Sequence, residues 1–180
     1  MLRPFKKWCI VISSLFFVLL SLYFVLLEVF AAVAKSPMEL PVHPIPLKVQ
    51  TEQGIVSYDV EIAFTQSQAE FGLMYRTNFP HDRAMLFRQQ GSQWSEDNKK
   101  LFMWMANVPL SLDMIFLNHQ GVIVSIVEKT SPFSTDTISS TVPATFALEV
   151  NAGEVSKKQI QKGQRIFHPV ICGTCEEDVK

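Results

Sequence analysis

The sequence predicts a mainly β domain of the α+β class: a small barrel-like or folded antiparallel sheet with one helix packed on it. Three observations carry this. Beyond residue 46 the apolar residues fall in short runs, and Val56, Tyr58, Val60 and Ile62 alternate as a half-buried strand does. Turn residues separate the runs, with Gly54 in one gap and Asn118 and Gly121 in another. One stretch, opening at Thr65, joins a helix start signal to apolar residues at helical spacing.

The chain opens with Arg3, Lys6 and Lys7, followed by an uncharged apolar run over residues 8–27 that Glu28 closes. Ala32-Val33-Ala34 is a small-residue cleavage site. The run also matches the roughly 20 residues that a bilayer-spanning helix needs. Residues 1–34 are therefore read as a signal peptide or an N-terminal membrane anchor, with cleavage after Ala34 expected. Either reading places the remainder outside the cytoplasm, periplasmic or anchored to the inner membrane from the periplasmic side. Residues 35–46 hold Pro37, Pro41, Pro44 and Pro46 and read as an extended spacer.

Residues 47–51 and 55–64 form a predicted hairpin about Gly54. A helix follows from Thr65, with Gln68 completing a capping box, and is expected to end near Tyr75. That would put Arg76 at its C-terminal end, where the helix dipole favours a cation. Residues 85–88 are a short strand and 89–100 an exposed polar loop. The most apolar run after the leader is 101–116, LFMWMANVPLSLDMIF; Pro109 divides it into predicted strands 101–105 and 110–117. Residues 122–127 pair back on the second of these. Residues 130–143, rich in Ser and Thr, form a long loop. Residues 145–150 are a strand, 153–160 a short helix and 165–167 a last strand.

The formal net charge is −1, and setting aside Arg3, Lys6, Lys7 and Glu28 takes it to −3. A chain of this balance offers no electrostatic footprint for nucleic acid, and no nucleic-acid partner is expected. No phosphate-binding Gly loop, zinc-protease motif or nucleophile elbow is present, and the four His stand in predicted loops or linkers.

Several motifs in order carry a resemblance: Gly72-Leu73-Met74-Tyr75-Arg76, Met85-Leu86-Phe87, Phe102-Met103-Trp104-Met105 with Asn107, Pro109-Leu110 with Leu112-Asp113, and Leu148-Glu149-Val150 with Gly153. Together they resemble the bacterial and archaeal family called domain of unknown function 192, over residues 47–170. The resemblance implies a compact β-rich domain, often exported, and no established activity. The chain departs from the family at Ala84, where Gly is usual, at Ala106 and Val108, where Lys and Thr are common, and at Gln164, where Asp is usual.

Arg76, Trp104, Asn107, Asp113 and Glu149 are the ligand-binding candidates. If they converged, Arg76 with Asp113 or Glu149 could hold a carboxylate or sugar, with Trp104 as a stacking wall. The competing expectation is structural: Asp113, inside an apolar strand, pairs with Arg76 or with backbone amides at the helix–sheet junction. Met74, Met85, Met103, Met105 and Met114, with Trp104 and a His, are a donor set that could hold cuprous ion. Core filling is the expectation for them, and no metal or cofactor is assigned. Cys172 and Cys175 form a C-x-x-C pair in the tail 171–180, expected as a small-loop disulfide in an oxidising compartment, with a redox pair and a metal set of His168, Cys172 and Cys175 as the weaker alternatives. The expectation is a non-catalytic ligand-binding or accessory module of the cell envelope. Its partner would be a small ligand or an envelope protein, and it would touch the membrane only through an uncleaved leader. A periplasmic cuprous carrier and an enzyme built on Arg76, Asp113 and Glu149 are the alternatives.

Overall fold

A computed structural model of the chain describes residues 4–33, 36–88 and 100–173, and within the first helix the side chains of residues 15–29. The predicted cleavage residue Ala34, most of the loop 89–100 and Cys175 lie outside the described residues. The chain divides into two compact units, Met1–Ser36 and Pro37–Lys180.

The first unit is a single helix, α1 (Pro4–Val33). Among the described residues no helix is long and apolar enough to cross a membrane.

The second unit is built on β1 (Leu47–Thr51), β2 (Gly54–Ala63), β3 (Arg83–Arg88), β5 (Leu112–Leu117), β6 (Ile123–Val127), β8 (Phe146–Asn151) and β9 (Arg165–Phe167). They form one sheet in the order β6-β5-β8-β3-β2-β1-β9. Its ends nearly meet, giving a barrel-like sheet: Val122 bridges Arg165, and Ile123 N–H donates to the Gln164 carbonyl at 2.8 Å. Gly121 sits at this seam with φ +78°, and a Cβ there would collide with the Ile166 carbonyl oxygen, so the closure depends on a glycine. The predicted hairpin 47–64 is present as β1 and β2, with Leu47 opposite Tyr58.

All neighbouring strands of this sheet run antiparallel except β2 and β3, which are parallel. A parallel pair needs a crossover, and α2 (Gln66–Phe71) with the turns after it supplies one. Thr65 caps α2 and Gln68 closes the capping box as the sequence indicates, but the helix stops at Phe71 rather than near Tyr75. Gly72, at φ +46°, ends it, so Arg76 lies past the helix end and not within reach of a helix dipole.

The sheet has two apolar faces. Leu47, Tyr58, Val60, Ile62, Leu86, Ile115, Leu148, Val150 and Ile166 pack inside the barrel. On the opposite face Met85, Phe87, Leu112, Met114, Phe116 and Ala147 pack with Leu73, Phe79, Met105 and Val108. A two-stranded sheet of β4 (Phe102–Met103) and β7 (Ile138–Ser139) accompanies this second core. Every residue of β5 is consequently buried, apolar and acidic alike. The predicted strand 101–105 shrinks to β4, since Val108 N–H turns back to the Met105 carbonyl at 3.0 Å. Two short helices complete the unit, α3 (Glu154–Lys157) and α4 (Pro169–Cys172), the latter not anticipated. Residues 37–46, read as spacer, belong to this unit: Val42 bridges Glu61, and His43 N–H donates to the Val60 carbonyl at 2.7 Å.

Candidate functional site

Past α2 the backbone takes an unusual course. Tyr75 has φ +63°, and its N–H donates at 2.7 Å to the carbonyl of Asn107, itself at φ +59°. Two non-glycine residues in the left-handed region, bonded to each other, are the kind of strain that persists only where the surroundings over-determine it, often at functional sites.

This course sends Arg76 toward the sheet, where it is 7% exposed. Its Nη1 and Nη2 donate to the two carboxylate oxygens of Glu61 at 2.9 and 2.6 Å, and its Nε donates to the Met38 carbonyl at 2.8 Å. Glu61 also accepts from Leu40 N–H at 3.3 Å and from Arg83 Nη1 at 3.4 Å. A bidentate fork of this kind fixes orientation as well as charge. One buried carboxylate thus faces two guanidiniums, and Arg83 is left with a buried Nε that has no acceptor among the described residues. Beside the pair lies a cavity of about 300 Å³, at the lower end of the size range for small-molecule sites. Glu39, Glu61, Tyr75, Arg76, Thr77, Asn78 and Arg83 supply its polar lining.

Glu149 lies two strands away from Glu61 on the same face. Register places Glu61 opposite Met85, Met85 opposite Glu149, and Glu149 opposite Met114. Glu149 is 4% exposed, and burial pushes its carboxyl up to about 8.

Residues 47–168 match the profile of DUF192, described as uncharacterized ACR. That match spans more than half of the sequence. The chain belongs to the DUF192 family. A solved structure of a candidate transcription regulator from Sinorhizobium meliloti 1021 is 34% identical, with a TM-score of 0.63 over 72% of this chain and 97% of that one. A protein of unknown function from Novosphingobium aromaticivorans DSM 12444 shares the fold at 23% identity and a TM-score of 0.63, over 75% of this chain and 96% of that one. No curated protein matches.

Within this DUF192 domain the five candidate residues do not converge. Only Arg76 lines the cavity. Asp113 does not pair with Arg76: its Oδ1 accepts from Lys129 N–H at 2.8 Å, and its Oδ2 from Gly153 and Val155 N–H at 2.8 and 3.0 Å. Strand alternation explains the miss. Met114 and Glu149 face the second core, so Asp113, one residue along β5, points to the other face. Trp104 is 42% exposed and Asn107 is exposed, and neither lines the cavity, so no stacking wall forms there.

Sequence reasoning missed Glu61, Arg83, Tyr75, Glu39 and Asn78. The available signal was Glu61 itself, a carboxylate between Val60 and Ile62 that alternation assigns to the face opposite theirs. Two further polar groupings also escaped it. His168 Nε2 lies 3.1 Å from His43 Nδ1 and 3.2 Å from the Ile45 carbonyl, while its Nδ1 accepts from Val170 N–H and caps α4. Burial, then the neighbouring His43, hold His168 below its ordinary value. Glu154, buried, lies 2.7 Å from Lys158 Nζ and 3.1 Å from His81 Nδ1. Lys158 Nζ stands 4.1 Å from the ring centre of Tyr58, whose buried hydroxyl has no partner among the described residues. Cys172 is disulfide-bonded; Cys175, the partner expected from the sequence, lies outside the described residues.

Proposed function

We propose that this DUF192 domain is a non-catalytic binding module of the cell envelope that holds a small carboxylate-bearing ligand, sugar acids included, in the cavity beside Arg76 and Arg83. Arg83, which lines the cavity and is held there, among the described residues, only by a 3.4 Å bond from Nη1 to Glu61, is the observation that carries this reading. A carboxylate bound there would take a charge-assisted bond from a guanidinium that Glu61 only partly engages at 3.4 Å. Glu39, Thr77 and Asn78 offer partners to hydroxyl or amino groups on the same ligand. Arg76 would be a brace rather than a ligand group, since all three of its guanidinium nitrogens are engaged.

The basic, apolar and small-residue order of the leader supports export, with the domain on the periplasmic side. A catalytic trio of Arg76, Asp113 and Glu149 has no geometric support, because Asp113 and Glu149 face opposite sides of the sheet. The relative described as a candidate transcription regulator suggests a nucleic-acid partner, and the net charge of −1 speaks against one.

The test is a thermal-shift series of the full chain with glucuronate, succinate and uncharged sugars. Carboxylates should raise Tm, uncharged sugars should not, and Arg83→Gln should abolish the effect. A carboxylate shift of the same size in Arg83→Gln would reject the site.

A further inference from the structure

Four carboxylates of the second unit are buried: Glu61, Asp113, Glu149 and Glu154. Glu61 is held by Arg76, Asp113 by three backbone amides, and Glu154 by Lys158 and His81. Glu149 alone has no hydrogen-bond or ion-pair partner among the described residues. A carboxyl that is 4% exposed and lacks such a partner is costly to ionise unless a cation pairs with it. What flanks Glu149 is sulfur. Met85 on β3 and Met114 on β5 stand directly opposite it, one on each side, and both are fully buried. Neighbouring strands lie about 4.8 Å apart, so two flexible thioether chains border the carboxyl on the same face of the sheet.

We propose that Glu149, Met85 and Met114 form a binding site for a soft monovalent cation, of which cuprous ion is the biologically available member. Thioether sulfur is a soft donor that selects cuprous ion over hard cations. Charge selects in the same direction. One carboxylate and neutral sulfurs balance a single positive charge, whereas a divalent ion would leave an uncompensated charge in an apolar core. Met105 is buried in the same core, and Met74 packs against it. Met74 is the half-buried member, its Sδ 3.9 Å from Asn107 Nδ2 in an exposed contact, so the cluster reaches the surface there.

This donor set differs from the one the sequence suggested. Trp104 is turned largely to solvent, His168 is engaged with His43 and Ile45, and Cys172 is disulfide-bonded. The carboxylate between the methionines is the new element. Binding exchanges the carboxyl proton of Glu149, which leaves to solvent, for the ion; no oxidation state changes, and the site is independent of the Arg83 cavity.

The experiment is an anaerobic titration of the full chain, carrying Cys9→Ser to remove a thiol, with cuprous ion against a chromogenic cuprous chelator. Silver ion serves as the redox-inert probe in a parallel thermal-shift series. One equivalent should bind, and silver should raise Tm. Glu149→Gln, which keeps the side-chain shape, should weaken binding at least tenfold, as should Met85→Leu and Met114→Leu singly. Arg83→Gln, which removes the carboxylate site, should leave cuprous affinity unchanged. X-ray absorption of the cuprous complex should show a mixed sulfur and oxygen shell. No stoichiometric binding by the parent protein would overturn the proposal, and so would binding that survives Glu149→Gln or Met85→Leu/Met114→Leu.

Discussion

Asp113 gathers three backbone N–H groups from two separate turns, one at Lys129 and one at Gly153 and Val155. It stitches the end of β6 and the start of α3 to β5. Asp113→Ala would leave those donors buried without an acceptor and lower stability by about 3–5 kcal/mol. Asp113→Asn keeps one acceptor oxygen and loses the other, so it should fall between alanine and wild type. Urea unfolding of the three proteins measures the order, and equal midpoints would remove Asp113 as a stitch. Glu149 gives the opposite kind of prediction. Its folded-state carboxyl lies near 8 against an ordinary 4.5, so the folded metal-free protein keeps a proton that the unfolded chain releases. Its contribution to stability is full below pH 4.5 and is lost as pH rises toward about 8. Glu149→Gln should therefore gain stability relative to wild type as pH rises across that window. A constant difference between the two proteins would contradict the assignment.

Among the elements, α4 shows how a short helix can be fixed by one side chain. His168 caps it through Nδ1 and ties it to residues 43–45 through Nε2. With its folded-state value lowered, His168 stays neutral where the unfolded chain takes up a proton. Its share of stability is present above the ordinary 6.5 and is lost as pH falls below it. His168→Asn retains a capping oxygen and should flatten that acid-side loss in a pH series of thermal melts. The hairpin β1–β2, the capping box of α2 and the strand β9 were legible because local chemistry alone specifies them. The helix end was not, since Gly72 and the Tyr75–Asn107 bond depend on a segment distant in sequence. The two faces of β5 and β8 were not either, because strands buried on both sides lose the alternation that announces burial. Arg76 was legible as a residue of interest, but its partner Glu61 was hidden in an alternating strand.

At the scale of the molecule, a barrel-like sheet has a core inside, a second core on its outer face, and a polar cleft where residues 37–40 run beside β2. The leader bears on where that cleft works. Residues 1–34 carry the order of an export signal, and the mature chain should begin at Lys35. Mass spectrometry of the protein from its native membranes and soluble fractions decides this, and an intact chain in the membrane would identify an anchor. In the cleft, the braced Glu61–Arg76 pair and Arg83 are proposed to present a binding surface. Backbone chemical shifts of the folded protein, followed through a titration with glucuronate, test it most directly. Saturable shifts should cluster at residues 37–40 and 75–83 and be absent in Arg83→Gln. Saturable shifts centred elsewhere, or none at millimolar ligand, would contradict it.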